Sequence, residues 1–283
     1  MVIDLQVHFW EEHSSTRPHL DIAVPNLPNP FGPSEMKPIM EQDGVEHVVI
    51  VPPGFMGNNN DYALECSLSF PKDFSVMGLV DITDENLSSK LENWFDQKGM
   101  IGIRTHVSKR MRDRWPNEKS ANILWELCSK FDIPVATFAS GEAQYLRNVL
   151  KDFPKLKLVI DHFGLPPIDD TRAAGINKRF LEDILSLSEF PNAFIKTSTL
   201  PVRSKQVFPY KDMHEVIKLT FNAFGANRML WATDFTQSLA RNGSSYQEEL
   251  GLWQNTLPFL NDNDIELILH ENALSVFSHL SLD

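Results

Sequence analysis

Three side chains in this sequence stand where chemistry is most easily done: His8, His162 and Asp234, each closing an apolar run rich in β-branched residues. Imidazole and carboxylate groups serve as general acids and bases, and as donors to a carbonyl oxygen. Asp234 would act as general base on a water, and His162, His8 or both would donate to the carbonyl under attack. Gln6, two residues before His8, would orient a substrate or hold a histidine tautomer. Arg104 and His106 stand in Gly-Ile-Arg-Thr-His, where Arg104 would either clamp a carboxylate or close an internal salt bridge. Lys196, Ser198 and Tyr210 bring a cation and hydroxyls after another apolar run, and Asn59 sits in a turn-rich stretch of neutral hydrogen-bonding groups. The substrate-binding set is thus Gln6, Arg104, His106, Asn59, Lys196, Ser198 and Tyr210.

Each residue also has a plainer reading. A lone histidine at a strand end is more often a hydrogen-bonded structural residue, and Asp234 alone would serve as a helix N-cap. Asp161, out of phase with His162, reads as structural. The charges of Lys109, Arg110, Arg112 and Arg114 read as mostly solvated, His214 as a surface helix position, and His13, His19, His47 and His279 carry no assignment. Convergence favours function, because gathering several such groups at one place without a use is expensive.

The elements that must position these groups alternate along the chain. Strands are expected at Val2–Trp10, Val45–Pro52, Phe74–Asp81, Met100–His106, Ile133–Ser140, Lys157–His162, Ala193–Leu200 and Arg228–Phe235. Amphipathic stretches fill the gaps, at Ser34–Gln42, Asn60–Phe70, Asn86–Gln97, Ala121–Phe131, Glu142–Asp152, Asn177–Ser188, Lys211–Phe224 and Tyr246–Leu257. A last helix over Asp262–Phe277 has cap chemistry at Asn261 and Asp262. Eight β–α alternations without a flexible linker imply one (β/α)8 TIM barrel across residues 1–283, a single domain. No G-x-G-x-x-G follows the first strand, which removes the commonest nucleotide-binding form of a doubly wound sheet. On that barrel, alternate residues face inward. The parity places Asp4, Gln6 and His8 together, His162 with Leu158 and Ile160, and Asp234 with Leu230 and Ala232.

Composition narrows the partners. With 26 basic and 38 acidic residues, the net charge of −12 disfavours nucleic acid and anionic membrane. It leaves room for a small anionic substrate met by local arginines. Cys66 and Cys128 form no Cys-x-x-Cys pair, and no apolar run approaches a membrane span, so a reduced cytoplasmic setting is expected. Trp115 and Trp253 are candidate contacts in a homo-oligomer.

Four segments resemble one superfamily in order. Ile-Asp-Leu-Gln-Val-His-Phe-Trp (3–10) resembles the opening of the amidohydrolase superfamily, whose first strand normally ends His-x-His. Leu-Val-Ile-Asp-His-Phe-Gly-Leu-Pro (158–166), Trp-Ala-Thr-Asp-Phe (231–235) and His-Glu-Asn-Ala-Leu-Ser-Val-Phe (270–277) are similar to its amidohydrolase-related group. The resemblance implies a (β/α)8 barrel with a site at Gln6, His8, His162 and Asp234. It also implies one of several reactions: metal-dependent hydrolysis, metal-dependent decarboxylation of aromatic or muconate-type acids, or metal-free lactone hydrolysis.

Two departures bear on the metal. Gln6 stands where the first histidine of His-x-His belongs, and the fifth strand, Ile-Pro-Val-Ala-Thr-Phe-Ala-Ser, has no histidine. The expectation is therefore a metal-free hydrolase, without cofactor, acting on a lactone or carboxylated cyclic ester. The alternative is a decarboxylase holding zinc or manganese through His8, His162 and Asp234. From a different class, a barrel that only binds a ligand would have no need of a base aimed at an oxyanion site.

Overall fold

The computed structural model describes residues 1–21, 23–107, 118–166 and 178–282. The strands β1 (Ile3–Val7), β2 (His47–Ile50), β3 (Phe74–Gly78), β4 (Met100–His106), β5 (Val135–Phe138), β6 (Leu158–Ile160), β7 (Ala193–Lys196) and β8 (Met229–Leu230) form one parallel sheet in sequence order. Leu5 N donates to Trp231 O at 3.4 Å and Asp234 N to Gln6 O at 2.9 Å, which draws the last strand onto the first. The fold is a (β/α)8 barrel.

Helices α1 (Pro33–Asp43), α2 (Asp61–Ser69), α3 (Leu87–Glu92), α4 (Glu118–Lys130), α5 (Ala143–Asp152) and α6 (Lys178–Leu185) follow β1 to β6 in turn. The connection after β7 holds a short α7 (Leu200–Arg203) and then α8 (Lys211–Phe224). After β8 come α9 (Phe235–Asn242), α10 (Tyr246–Asn255), α11 (Asp262–Glu266) and α12 (Asn272–Val276), the last two joined by a π-turn. Asn261 caps α11 by accepting from Asp264 N, as its side-chain chemistry implies. Helices α7 and α9 are not among the expected elements, since four and eight residues are too short to establish a helical period.

Side chains alternate between two cores. Ile3, Leu5, Val49, Val51, Met77, Ile101, Ala136, Val159, Leu230 and Ala232 fill the barrel interior with Phe277 and its neighbours. Val48, Ile50, Val76, Ile103, Val135, Leu158, Ile160 and Ile195 face the helices. Burying β-branched residues on both faces is what produces the near-continuous apolar strands.

Two parity expectations are corrected by local backbone. A register shift between Asp4 and Val7 leaves Leu5 in the inner core and Val7 in the outer one. Asp4 therefore does not join Gln6 and His8. It is fully buried at the closing seam, accepting from Gln6 N, Thr233 N, the Thr233 hydroxyl and the Tyr246 hydroxyl. Val159 in β6 and Asp161 just beyond it face inward, while Leu158 and Ile160 pack outward. Asp161, expected on the other face as a structural residue, is thus an inner residue. His162 joins it because the chain turns left-handed there, with φ 58°.

The long connection Glu11 to Pro33 is closed at its neck by Trp10 and Phe31, which exchange backbone hydrogen bonds of 2.9 and 3.3 Å. Among the described residues no helix is long and apolar enough to cross a membrane. Trp253, expected at a subunit contact, is buried in the core at 2 % exposure, because α10 packs that face inward. Trp115 and the basic run Lys109, Arg110, Arg112 and Arg114 lie outside the described residues.

Candidate active site

The site is assembled at the C-terminal ends of the strands. The bulge in β1 carries Gln6 inward and the chain beyond the strand delivers His8. Beyond β6 and β8, His162 and Asp234 both adopt left-handed backbone, at φ 58° and 56°. Such conformations are uncommon for residues other than glycine, and they occur at sites where a side chain must be aimed. Asp234 occupies the N-cap position of α9, yet its carboxylate makes no capping hydrogen bond, which sets aside the capping reading.

His8 Nδ1 donates to Val51 O at 2.7 Å. A carbonyl oxygen can only accept, so in neutral His8 the proton sits on Nδ1 and Nε2 carries a lone pair. That lone pair faces Asp234 Oδ1 at 3.2 Å. In this tautomer the free nitrogen of His8 is an acceptor, aimed at the carboxyl. His162 Nδ1 lies 2.7 Å from Ser198 Oγ, and its Nε2 is 3.9 Å from Asp234 Oδ2. When Ser198 donates to Nδ1, the His162 proton moves to Nε2 and points to the same place. Ser198 is thus a partner of His162.

Burial dominates the electrostatics. It pushes the Asp234 carboxyl well above the usual carboxylate range, opposed by Arg104, Arg203 and Lys196 and reinforced by Asp161. Burial likewise lowers His8 to about 4, with Arg104 and Lys196 acting the same way. His162 is held well below the usual imidazole range by burial, then by Arg203, Arg104, Lys196 and His8. Burial therefore favours the neutral form of both imidazoles.

Deeper in the mouth, Asp161 bridges two cations. Its Oδ1 is 2.8 Å from Lys196 Nζ and its Oδ2 accepts from Arg104 Nε at 3.3 Å. Lys196 Nζ also donates to Gln6 Oε1 at 3.0 Å. Lys196, Asp161 and Gln6 are all fully buried. Arg104 therefore fulfils the salt-bridge reading through Nε, while its terminal nitrogens make no hydrogen bond with the described residues. His106 and Phe138 pair across β4 and β5, with ring centroids 4.8 Å apart, and Phe138 lies 5.6 Å from the His162 ring.

Two residues expected at the site are not brought to it. Tyr210 is 1 % exposed and its hydroxyl is paired with Ser244 at 2.8 Å. Asn59 accepts from Asp61 N at 2.7 Å at the start of α2 and lines an open cleft with Asp81, Lys90 and Trp94. Three residues that sequence pattern does not mark also stand here: Phe138 on the fifth strand, Asp161 on the inner face and Arg203 in the short α7. Arg203 is buried, with hydrogen bonds to Leu165 O, Thr199 O and the Thr199 hydroxyl, and burial lowers it to about 9. Nothing in the local pattern Pro-Val-Arg marks it.

His8 Nε2 and His162 Nε2, 3.2 and 3.9 Å from the Asp234 carboxylate oxygens, are with Asp234 the groups that would hold a divalent ion, although among the described residues no three or more histidine, cysteine or carboxylate side chains are arranged as a metal site. Arg104 and Lys196 act on all three groups and Arg203 on His162 and Asp234, with Asp161 opposing them at His8 and Asp234.

A parallel eight-stranded barrel with inward polar groups at its strand ends defines the architecture of many enzymes. Residues 3–278 match the amidohydrolase family model, and the chain belongs to that family. It is 23% identical over 240 residues to L-fucono-1,5-lactonase from Burkholderia ambifaria, covering 83% of this chain and 80% of the relative. Its fold matches that of a probable 2-pyrone-4,6-dicarboxylic acid hydrolase from Acinetobacter baumannii, solved with citric acid bound. That match has a TM-score of 0.80 at 18% identity, over 98% of this chain and 99% of the other. A zinc-bound amidohydrolase from Burkholderia multivorans aligns with a TM-score of 0.80 at 17% identity over the same shares. The 2,6-dihydroxybenzoate decarboxylase from Rhizobium aligns at 0.66 with 13% identity over 98% of both chains.

Proposed function

We propose that this protein hydrolyses a lactone bearing a carboxylate, without a metal ion, using Asp234 as general base and His162 as the donor to the carbonyl. The observation that carries the reading is the aim of His8 Nε2 at Asp234 Oδ1, 3.2 Å away, fixed from behind by Val51 O. A lone pair facing a buried carboxylate disfavours the ionised form and favours the protonated one. Asp234 is thereby made a stronger base, because the proton it takes from water is shared with His8 Nε2.

In the forward direction, water attacks the lactone carbonyl as its proton passes to Asp234. His162 Nε2–H donates to the oxyanion, with Ser198 holding the other ring nitrogen. Collapse breaks the ring C–O bond, and the leaving alkoxide takes the proton back from Asp234. The product is an open-chain hydroxy acid, and one water is consumed. Arg104 presents its free edge to the substrate's carboxylate. The L-fucono-1,5-lactonase and pyrone hydrolase likenesses support an ester-type ring substrate.

The test is a screen of carboxylated and sugar-derived lactones in H₂¹⁸O, with and without a chelator. One ¹⁸O in the product carboxylate, at a rate unchanged by chelation, is expected. Loss of turnover on chelation with recovery on adding zinc or manganese would overturn the metal-free scheme. Release of carbon dioxide without ¹⁸O uptake would establish the decarboxylase instead.

The pH dependence follows from the same pair. The base must be ionised and its carboxyl is raised by burial, so kcat/KM falls as pH drops through a value above the ordinary carboxylate range. His8 does not account for that limb, since it remains neutral down to about 4. A pH–rate profile checks this, and an acid limb in the normal aspartate range would contradict a buried base.

A further inference from the structure

Gln6 is fully buried at the inner end of the site, and its two amide atoms are treated differently. Oε1 accepts from Lys196 Nζ at 3.0 Å, whereas Nε2 has no hydrogen-bond partner among the described residues. A buried N–H₂ group left unpaired costs free energy, and such groups call for an explanation. Turning the amide over offers no remedy, because Nε2 would then face the ammonium of Lys196, donor against donor. Lys196 cannot move aside either, since it is fully buried and 2.8 Å from Asp161 Oδ1. The cation therefore fixes which way the amide points and leaves its N–H bonds without an acceptor among the described residues.

We propose that Gln6 Nε2 is a second donor to the substrate's carbonyl oxygen, completing an oxyanion site with His162, and that Lys196, anchored by Asp161, is the positioning residue that aims it. The inference rests on the lactone-hydrolysis reading for the identity of the acceptor, and on geometry alone for the aim of the amide. Asp161 joins this donor to the anion-binding side of the site, because its other oxygen accepts from Arg104 Nε. A substrate carboxylate at Arg104 and a carbonyl at Gln6 would then be held at a separation set by one buried carboxylate.

Two variants and two readouts test this. Gln6→Glu keeps an acceptor for Lys196 but removes the N–H donor. For a lactone that the wild type turns over, kcat should fall by about 10²-fold with KM changed by less than about threefold. A kcat within about threefold of wild type would overturn the donor role. The double variant Lys196→Met with Asp161→Asn removes the buried cation and its counter-charge together, and the asparagine oxygen still accepts from the partly exposed Arg104 Nε. Its kcat should fall by roughly tenfold or more through loss of aim. The second readout needs no substrate. In protein carrying ¹⁵N-labelled glutamine, the Gln6 side-chain pair is identified by its disappearance in Gln6→Glu. That pair should show two separate, slowly exchanging signals in wild type and should shift and broaden in the double variant. An unchanged pair would show that Lys196 does not set the amide, whatever the substrate proves to be. Absence of turnover on every lactone would count against the function while leaving this spectral result to decide the positioning.

Discussion

Replacing Asp234 with asparagine should lower kcat by about 10²–10⁴-fold, the span general base catalysis usually supplies, with little change in KM. Asparagine matches the shape of aspartate but cannot take a proton from water. It also cannot share one with His8 Nε2, which lies 3.2 Å from Oδ1. The fold should not suffer. Asp234 is 3 % exposed, and Oδ1 lacks a well-aligned hydrogen bond among the described residues, so a neutral amide relieves a desolvated charge. The melting temperature is therefore expected to hold or rise while activity collapses. Steady-state kinetics beside a thermal melt checks both, and near-wild-type turnover would remove Asp234 from the chemistry.

The second large effect is expected at His162. His162→Asn retains a residue that tolerates left-handed backbone, so the turn at φ 58° is preserved while the imidazole is lost. Its shorter amide does not reach the place where His162 Nε2 stands, 3.9 Å from Asp234 Oδ2. Loss of one oxyanion donor costs about 10²–10³ in rate, and that fall in kcat is the expected result. Ser198→Ala is the companion variant. It leaves the ring in place but removes the partner 2.7 Å from Nδ1, so the tautomer is no longer selected and a smaller loss should follow. If Ser198→Ala matched His162→Asn in severity, Ser198 would be touching substrate rather than serving the histidine.

Most of the barrel was legible because its signals are local. An apolar, β-branched strand buried on both faces announces itself in any such fold, and Met100–His106 is found at the same limits by sequence and structure. Proline and glycine between elements stop helices for steric reasons that need no neighbours. The failures occurred where the backbone leaves regular geometry. The bulge in β1 turned Asp4 away from the site, and the left-handed turn after β6 brought Asp161 and His162 to the same side. A rule of alternation cannot anticipate either, because each depends on pairing across the sheet.

Residue type and order, by themselves, determined that this chain is a (β/α)8 barrel and that His8, His162 and Asp234 close its strands. They also carried its likeness to the amidohydrolases. The tertiary structure alone decided what those side chains face. Val51, just beyond the neighbouring strand, takes the proton-bearing nitrogen of His8 and leaves the other facing Asp234. Lys196, Asp161 and Gln6 become one buried chain although they are far apart in sequence. The reason is physical: side-chain chemistry is inherent to a residue, whereas protonation and aim are set by partners that only folding brings within hydrogen-bond reach.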